Sequence, residues 1–231
     1  VIQLASTVPG ETDLRLNYNH WPGRGTLPTS TWPSGALIRD HYTIPLPQQA
    51  TPTRAWRVQV AFVNPQTGAR IPVSRDGEPL GDAAHLRTLR VPGRELPSVA
   101  WADDDPTVDF GEKIQLTGAE VNPSGEGLWR VRLLWESIGA TSENYVIFVH
   151  AYEGSGELLT TGDAPPLNGA FPTQLWEPGD QIVTTHTLEV GTAVPETVKV
   201  GLYEPTKGTR LPAVSEGVRV HDDAAVIWNG Q

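Results

Sequence analysis

The sequence predicts an all-β protein built of two tandem β-sandwich modules. Three observations lead there: an imperfect internal repeat, apolar residues that alternate with period two, and glycine and proline placed between short apolar runs. The repeat fixes the number of domains. From Pro28 the chain reads PTSTWPSGALIRDHYTIPLP and from Pro172 it reads PTQLWEPGDQIVTTHTLEVG, which sets Pro28, Thr29, Trp32, Gly35 and Ile38 against Pro172, Thr173, Trp176, Gly179 and Ile182. After a connection that is longer in the first copy, RVQVAFVNPQTGARIPV (57–73) falls on KVGLYEPTKGTRLPA (199–213), pairing Pro65, Gly68, Arg70 and Pro72 with Pro205, Gly208, Arg210 and Pro212. At the start, VIQLAST aligns with VIFVHAY (146–152). A chain of 231 residues holds two domains of ordinary size, each able to bury a core.

The alternation gives the strands. Val58, Val60 and Phe62 interleave with Arg57, Gln59 and Ala61; Val198, Val200 and Leu202 interleave with Lys199 and Gly201; Trp129, Val131 and Leu133 alternate with Arg130 and Arg132. One face of each segment is apolar and the other polar. In the first module we place strands near 1–7, 12–18, 37–46, 56–63, 69–74 and 86–91. In the second they fall near 113–121, 128–136, 144–152, 157–162, 181–190, 197–204 and 209–220. Residues 109–136, with IQLTGAEV and LWRVRLLWE, have no match in the first copy, so that copy is expected to lack its two N-terminal strands.

Gly 23 and Pro 21 make about a fifth of the chain and sit in NPQTG, EPTKG and VNPSGEG, which is turn chemistry. In both long turns a proline follows the strand and a glycine comes three residues later, a spacing that predicts a tight reversal with the glycine at positive φ. No window carries a helical stripe of more than two turns. The expected fold is an immunoglobulin-like or jelly-roll-like sandwich in each half. The incomplete first module spans 1–98, a linker 99–108 lies within the polar, proline-bearing stretch 92–108, and the second module with its tail spans 109–231.

Formal net charge is −10, from 17 Lys and Arg against 27 Asp and Glu, which disfavours nucleic acid and anionic membrane as partners because both require a positive surface. With no cysteine there is no disulfide, thiol nucleophile or thiolate metal site. A chain that starts at Val1 and contains no methionine points to a processed protein or a fragment. No signal peptide or apolar run long enough to span a bilayer occurs in it.

The strings WPGRGTLPTSTWPSGALIRDHYTIPLP, VQVAFVNPQTGARIPV and EPLGDAAHLRTLRV, with FGEKIQLTGAEV, NYVIFVHAYEGSGELL, GAFPTQLWEPGD and VGLYEPTKGTRLP in the second copy, resemble the extracytoplasmic C-terminal β-sandwich modules of multi-spanning bacterial membrane glycosyltransferases of filamentous green bacteria (Chloroflexota-type). The resemblance covers nearly the whole chain. It implies an extracellular or cell-surface location and carries no catalytic residue with it, since the chemistry of such proteins belongs to the membrane part.

Candidate sites are few. Trp32 and Trp176 hold the same place in both copies and read as core plugs. Trp21, Trp101 and Trp129, unduplicated like Trp228, are the candidate glycan platform. The six histidines, at 20, 41, 85, 150, 186 and 221, show no zinc spacing. Asp103, Asp104 and Asp105, and separately His221, Asp222 and Asp223, offer oxygen ligands for calcium, with a solvated acidic surface as the commoner explanation. Glu136 and Glu143 flank a turn, but nothing in the sequence gives them a glycosidase geometry. We expect no enzyme activity, no cofactor and no metal centre.

The expected function is that of a non-catalytic extracellular structural protein that associates head to tail, as a filament, by strand complementation. Val1, Ile2, Gln3 and Leu4 would form the acceptor edge, and the apolar tail Ala224, Ala225, Val226, Ile227, Trp228 and Asn229 would be the assembly strand. The alternative is that the tail pairs within its own module and a different segment, such as residues 92–101, caps the first. The alternative function is a carbohydrate-binding or positioning pair of modules whose partner is a surface glycan.

Overall fold

The computed structural model describes residues 1–8, 15–45, 54–91 and 107–230. The chain divides into two compact units, Val1–Val91 and Pro92–Gln231. Among the described residues every regular element is a strand or a short 3-10 turn, and all strand pairs are antiparallel. The fold is all-β, as the period-two alternation requires. Most of the expected linker lies outside the described residues, and Val108, placed at its end, already belongs to a strand.

In the first unit, β1 (Ile2–Ser6), β2 (Arg15–Tyr18), β3 (Arg54–Val60) and β6 (Ala84–Val91) form one sheet in the order β2-β1-β3-β6. Between the last two, β4 (Val73–Arg75) and β5 (Glu78–Gly81) make a hairpin. Its two-residue loop, Asp76 at φ 51° and Gly77 at φ 88°, has the two positive φ values that match the twist of a tight hairpin.

The second unit has two sheets. One contains β7 (Val108–Phe110), β8 (Ile114–Gly125), β9 (Leu128–Ser137), β12 (Gln181–Glu189), β15 (Ala213–Ser215) and β16 (Val218–Arg219), in the order β12-β9-β8-β7-β15-β16. The other contains β10 (Val146–Tyr152), β11 (Leu158–Thr161), β13 (Thr197–Glu204), β14 (Thr209–Arg210) and β17 (Ala225–Asn229), in the order β11-β10-β13-β14, with β17 also on β13. Val131, Leu133 and Trp135 of the first sheet and Ile147, Val149, Ala151, Val198, Val200 and Leu202 of the second are all fully buried. The Trp129 and Trp228 rings, one from each sheet, meet edge to face with centroids 5.6 Å apart. Two antiparallel sheets closing on one apolar interior are consistent with a β-sandwich.

The repeated segments adopt the same local geometry in both units. Trp32 Nε1 donates to the Leu27 carbonyl at 3.2 Å and Trp176 Nε1 to the Phe171 carbonyl at 2.9 Å, each after a 3-10 turn, Thr29–Thr31 or Thr173–Leu175. In the long turns, Gly68 N donates to Asn64 O and Gly208 N to Glu204 O, both at 2.8 Å, and the two glycines have φ of 72° and 68°. The Asn64 side chain accepts from Gln66 N and Thr67 N as the Glu204 carboxylate does from Thr206 N and Lys207 N. Even a register shift recurs, between Val58 and Gln59 where β3 meets β6, and between Val198 and Lys199 where β13 meets β17.

Several expectations change. Three strands of the second unit precede β10, not two, because β7 is three residues long and carries no alternation to detect. β1 stands two residues out of the expected alignment: Ile2 pairs with Val60 as Val149 pairs with Val200, so Ile2 takes the place of Val149 rather than Ile147. A shift of two keeps the same residues on the same face. The strand expected at 37–46 is absent over its described part, 37–45. Its counterpart β12 is held along its length by β9, and the first unit has no described strand in that position; Leu37 is 95% exposed. The strand expected at 209–220 is broken into β14, β15 and β16 by Pro212 and by a turn at Glu216 and Gly217, both at positive φ.

Gly201 tests the packing of the second unit. A Cβ there would lie 2.5 Å from the Phe148 ring and 2.8 Å from the Asp223 carbonyl, whereas Ala61 holds the equivalent place in the first unit. Gly201→Ala is expected to destabilise the protein by about 1–3 kcal/mol, read as a lower denaturant midpoint by tryptophan fluorescence.

Candidate functional site

The feature that distinguishes the first unit is an apolar patch, on one sheet face, that its counterpart keeps covered. In the second unit Val198, Val200 and Leu202 of β13 are 0% exposed, and Leu211, whose backbone N–H donates to the Leu202 carbonyl, is 8% exposed. Strands β7, β8 and β9 cover that interior; the Leu211 side chain reaches so close to Gly111, just after β7, that any Cβ there would collide with it. The matching residues of the first unit are Val58 and Val60, half-buried, Phe62, 42% exposed, and Ile71, 56% exposed. Ile71 N donates to the Phe62 carbonyl at 2.9 Å, so the backbone arrangement is kept while these two side chains are open to water; Ile2, Leu4 and Trp56, on the same face, are buried.

Other repeated positions show the same loss. Thr173 is fully buried and its hydroxyl links two groups that follow β9, accepting from Tyr145 N at 2.9 Å and donating to the Glu143 carbonyl at 2.8 Å. Thr29, its counterpart, is exposed. Trp176 is 2% exposed, but Trp32 is only half-buried and meets Phe62 edge to face at 5.9 Å. Among the described residues the buried side-chain polar atoms without a hydrogen-bond partner, Gln3 Oε1 and Trp56 Nε1, both lie in the first unit. Such groups are costly to leave unpaired.

The two ends proposed for strand complementation are both occupied. Val1, Ile2, Gln3 and Leu4 are not an edge: β1 pairs with β2 on one side and β3 on the other, and Val1 accepts from Ala61 N and donates to its carbonyl. β2 closes back onto β1, so among the described residues the outer strands of this sheet are β2 and β6. The tail Ala225, Val226, Ile227, Trp228 and Asn229 is β17, paired with β13 of its own unit, with Ala224 buried just before it. Trp228 Nε1 donates to the Pro195 carbonyl at 3.1 Å. The tail thus takes the position that β6 has beside β3, the alternative within its own module. Sequence could not separate an unpaired terminal strand from one that completes its own sheet.

Of the candidate glycan platform, Trp101 lies outside the described residues and Trp129 is half-buried against Trp228. Trp21 is 58% exposed. The turn after it is held by Asp40, whose carboxylate accepts from Gly23 N at 2.8 Å, His41 N at 2.9 Å and the Tyr42 hydroxyl. The Tyr42 bond, then the backbone ones, lower the Asp40 pKa, and desolvation with that same bond pushes Tyr42 up to about 12.

Asp223 does not stand free for a cation: Arg219 holds it through two bonds of 2.9 and 2.8 Å, and Ala213 N adds a third. Asp103, Asp104 and Asp105 lie outside the described residues. Among the described residues no group of three or more His, Asp or Glu is placed to hold a metal ion. Glu136 is half-buried on β9 and Glu143 is exposed. No helix among the described residues is long and apolar enough to cross a membrane.

His186 was not singled out by its spacing, yet it is 4% exposed. Its Nδ1 lies 2.9 Å from the Gly162 carbonyl and its Nε2 3.1 Å from Thr184 Oγ1, which also accepts from Trp135 Nε1 at 3.0 Å. A neutral ring protonated on Nδ1 satisfies every group: Nδ1 donates to the carbonyl and Nε2 accepts from the Thr184 hydroxyl. Burial lowers its pKa, the signature of a structural histidine inside a sandwich. Comparison of the chain with protein-family models, with curated proteins and with solved structures gave no match.

Two outcomes follow from these environments. Because the unfolded state takes up a proton at His186 before the folded state does, stability falls as pH drops below about 6.5, and His186→Gln removes that part of the slope in denaturation curves collected between pH 5 and pH 8. Leu202→Ala is expected to cost about 2–5 kcal/mol. Phe62→Ala at the matching exposed position costs under about 1 kcal/mol in dilute solution, measured by the same chemical denaturation.

Proposed function

We propose that the chain is a non-catalytic structural protein of the cell exterior, two immunoglobulin-like β-sandwich modules in tandem, the first of which self-associates through the apolar patch exposed on its sheet face. One observation carries this reading: Phe62 and Ile71 are open where Leu202 and Leu211 are sealed, although the backbone hydrogen bonds around both pairs are the same. A sheet with one apolar face needs a second layer, and among the described residues of the first module no strand corresponds to β7, β8 or β9. The occupied β1 and β17 change the form of the proposal. What is completed between copies is a face and not a strand edge. The likeness to extracytoplasmic modules supports the exterior location.

The second reading is a carbohydrate-binding or positioning pair of modules belonging to a membrane glycosyltransferase. It is favoured by Trp21, a large exposed aromatic just before the turn that the Asp40 carboxylate holds together with the Tyr42 hydroxyl, groups of the kind that hold a sugar.

Sedimentation velocity of the chain from about 1 to 100 µM, a span that covers affinities of roughly 6–8 kcal/mol, separates the two. Self-association that Phe62→Ser weakens supports the structural reading. A chain that stays monomeric throughout and binds immobilised glycans through Trp21, losing that binding in Trp21→Ala, replaces it with the second.

A further inference from the structure

The two units differ sharply in charge. Val1–Val91 carries nine arginines, no lysine and six carboxylates, a formal charge of +3, while Pro92–Gln231 carries eight basic and twenty-one acidic residues, a formal charge of −13. The asymmetry continues at the uncovered face. On β17 the residue opposite Val198 is Trp228, which points into the sandwich and meets Trp129 of the facing sheet. On β6 the residue opposite Val58, the counterpart of Val198, is Arg87, and it is exposed. A guanidinium thus stands where the second unit has a half-buried tryptophan that reaches the facing sheet. A purely apolar cover would leave that charge desolvated and unpaired, so whatever covers the face must present carboxylates along with apolar groups.

One end of the second unit has that composition. The β8–β9 turn with Glu126, the β10–β11 turn with Glu153 and Glu157, the end of β12 with Glu189, and Glu196 ahead of β13 all lie there. They are brought together by Val190 N donating to Gly127 O, Glu196 N to Tyr152 O and Glu153 N to Glu157 O. All five glutamates are exposed, and with them Leu128, Leu158 and Val194, the last 70% exposed.

We propose that the sheet face of the first unit, marked by Phe62, Ile71 and Arg87, docks the acidic end of the second unit of another copy of this chain. The contact is heterologous: each copy offers a face at one unit and an acidic end at the other. It propagates to an open filament unless the rotation closes a ring. It rests on the reading of that face as an assembly surface and names what covers it. Complementary charge brings the copies together and fixes which surfaces meet.

The test uses the full chain throughout. Association is followed by sedimentation velocity at about 20 mM and about 500 mM NaCl, where screening lengths differ severalfold. The expected result is an apparent affinity that falls about tenfold or more with salt, and a similar loss in Arg87→Glu and in the double variant Glu153→Gln, Glu157→Gln. Both changes are on exposed side chains, so near-UV circular dichroism should match the parent. Mixing is the sharper readout. Arg87→Glu retains a competent acidic end and the double variant retains a competent face, so an equimolar mixture should form 1:1 dimers and nothing larger, while neither variant associates alone. Association that is indifferent to salt and to Arg87→Glu, yet lost in Phe62→Ser, overturns this inference and leaves the face as a self-association surface of another geometry. A monomer at every concentration and salt overturns both.

Discussion

A β-sheet that is apolar on one side must bury that side against a second layer, and most of what distinguishes the two halves of this chain follows from that constraint. In the second unit the interior between two sheets is closed by Val131, Leu133 and Trp135 on one side and Val149, Val198, Val200 and Leu202 on the other, all out of reach of water. Each such side chain contributes roughly 1.5–3 kcal/mol on full burial. In the first unit the strands that correspond to β10, β11, β13 and β17 are present and correctly paired, and the layer that would face them is not among the described residues. The local instructions are the same, and the burial that rewards them differs.

Local geometry is therefore a poor guide to how complete a module is. The turn at 64–68 copies the turn at 204–208 down to its side-chain caps and its glycine φ, because a proline, a capping oxygen and a glycine at fixed spacing determine the reversal without help from distant residues. The indole bonds of Trp32 and Trp176 are equally local, spanning five residues each. Strand formation at 37–45 is not local. Residues 181–189 are a strand because β9 lies beside them, and Ile38 and its neighbours, though they repeat the same motif, have no such neighbour among the described residues.

This explains which parts of the fold were legible in the sequence. Alternation around Val58, Val200 and Val131 gave the strands and their buried faces, since period two is a property of one segment. Pairing partners were not legible: whether Ile2 and Leu4 formed an edge or a centre depended on where β2 folded back, and whether Trp228 was free or paired depended on β13. The candidate site shows the same division. That residues 109–136 have no match in the first copy could be read by aligning the copies, but the exposure of Phe62 and Ile71 could not, because it depends on what packs against them. His186 gave no signal, since a single histidine in an alternating strand looks the same whether buried or exposed. The charge asymmetry could be counted only after the division at residue 91 was known.

Arg87 and Trp228 bring these strands of argument to one position. The irregularity beside them is the same, a shift of register at Val58/Gln59 and at Val198/Lys199, so the backbone delivers both side chains to the same face. In the second unit that position holds a half-buried tryptophan that meets Trp129 of the facing sheet. In the first unit it holds an always-charged group whose desolvation would be costly without a partner. If the first unit were simply a damaged copy of the second, an apolar remnant or a neutral residue would serve there as well. An arginine suits a face that is in water for part of its existence and that, when covered, meets a carboxylate. An arginine there, in place of the tryptophan, keeps the exposed apolar patch beside it soluble and restricts what can cover it.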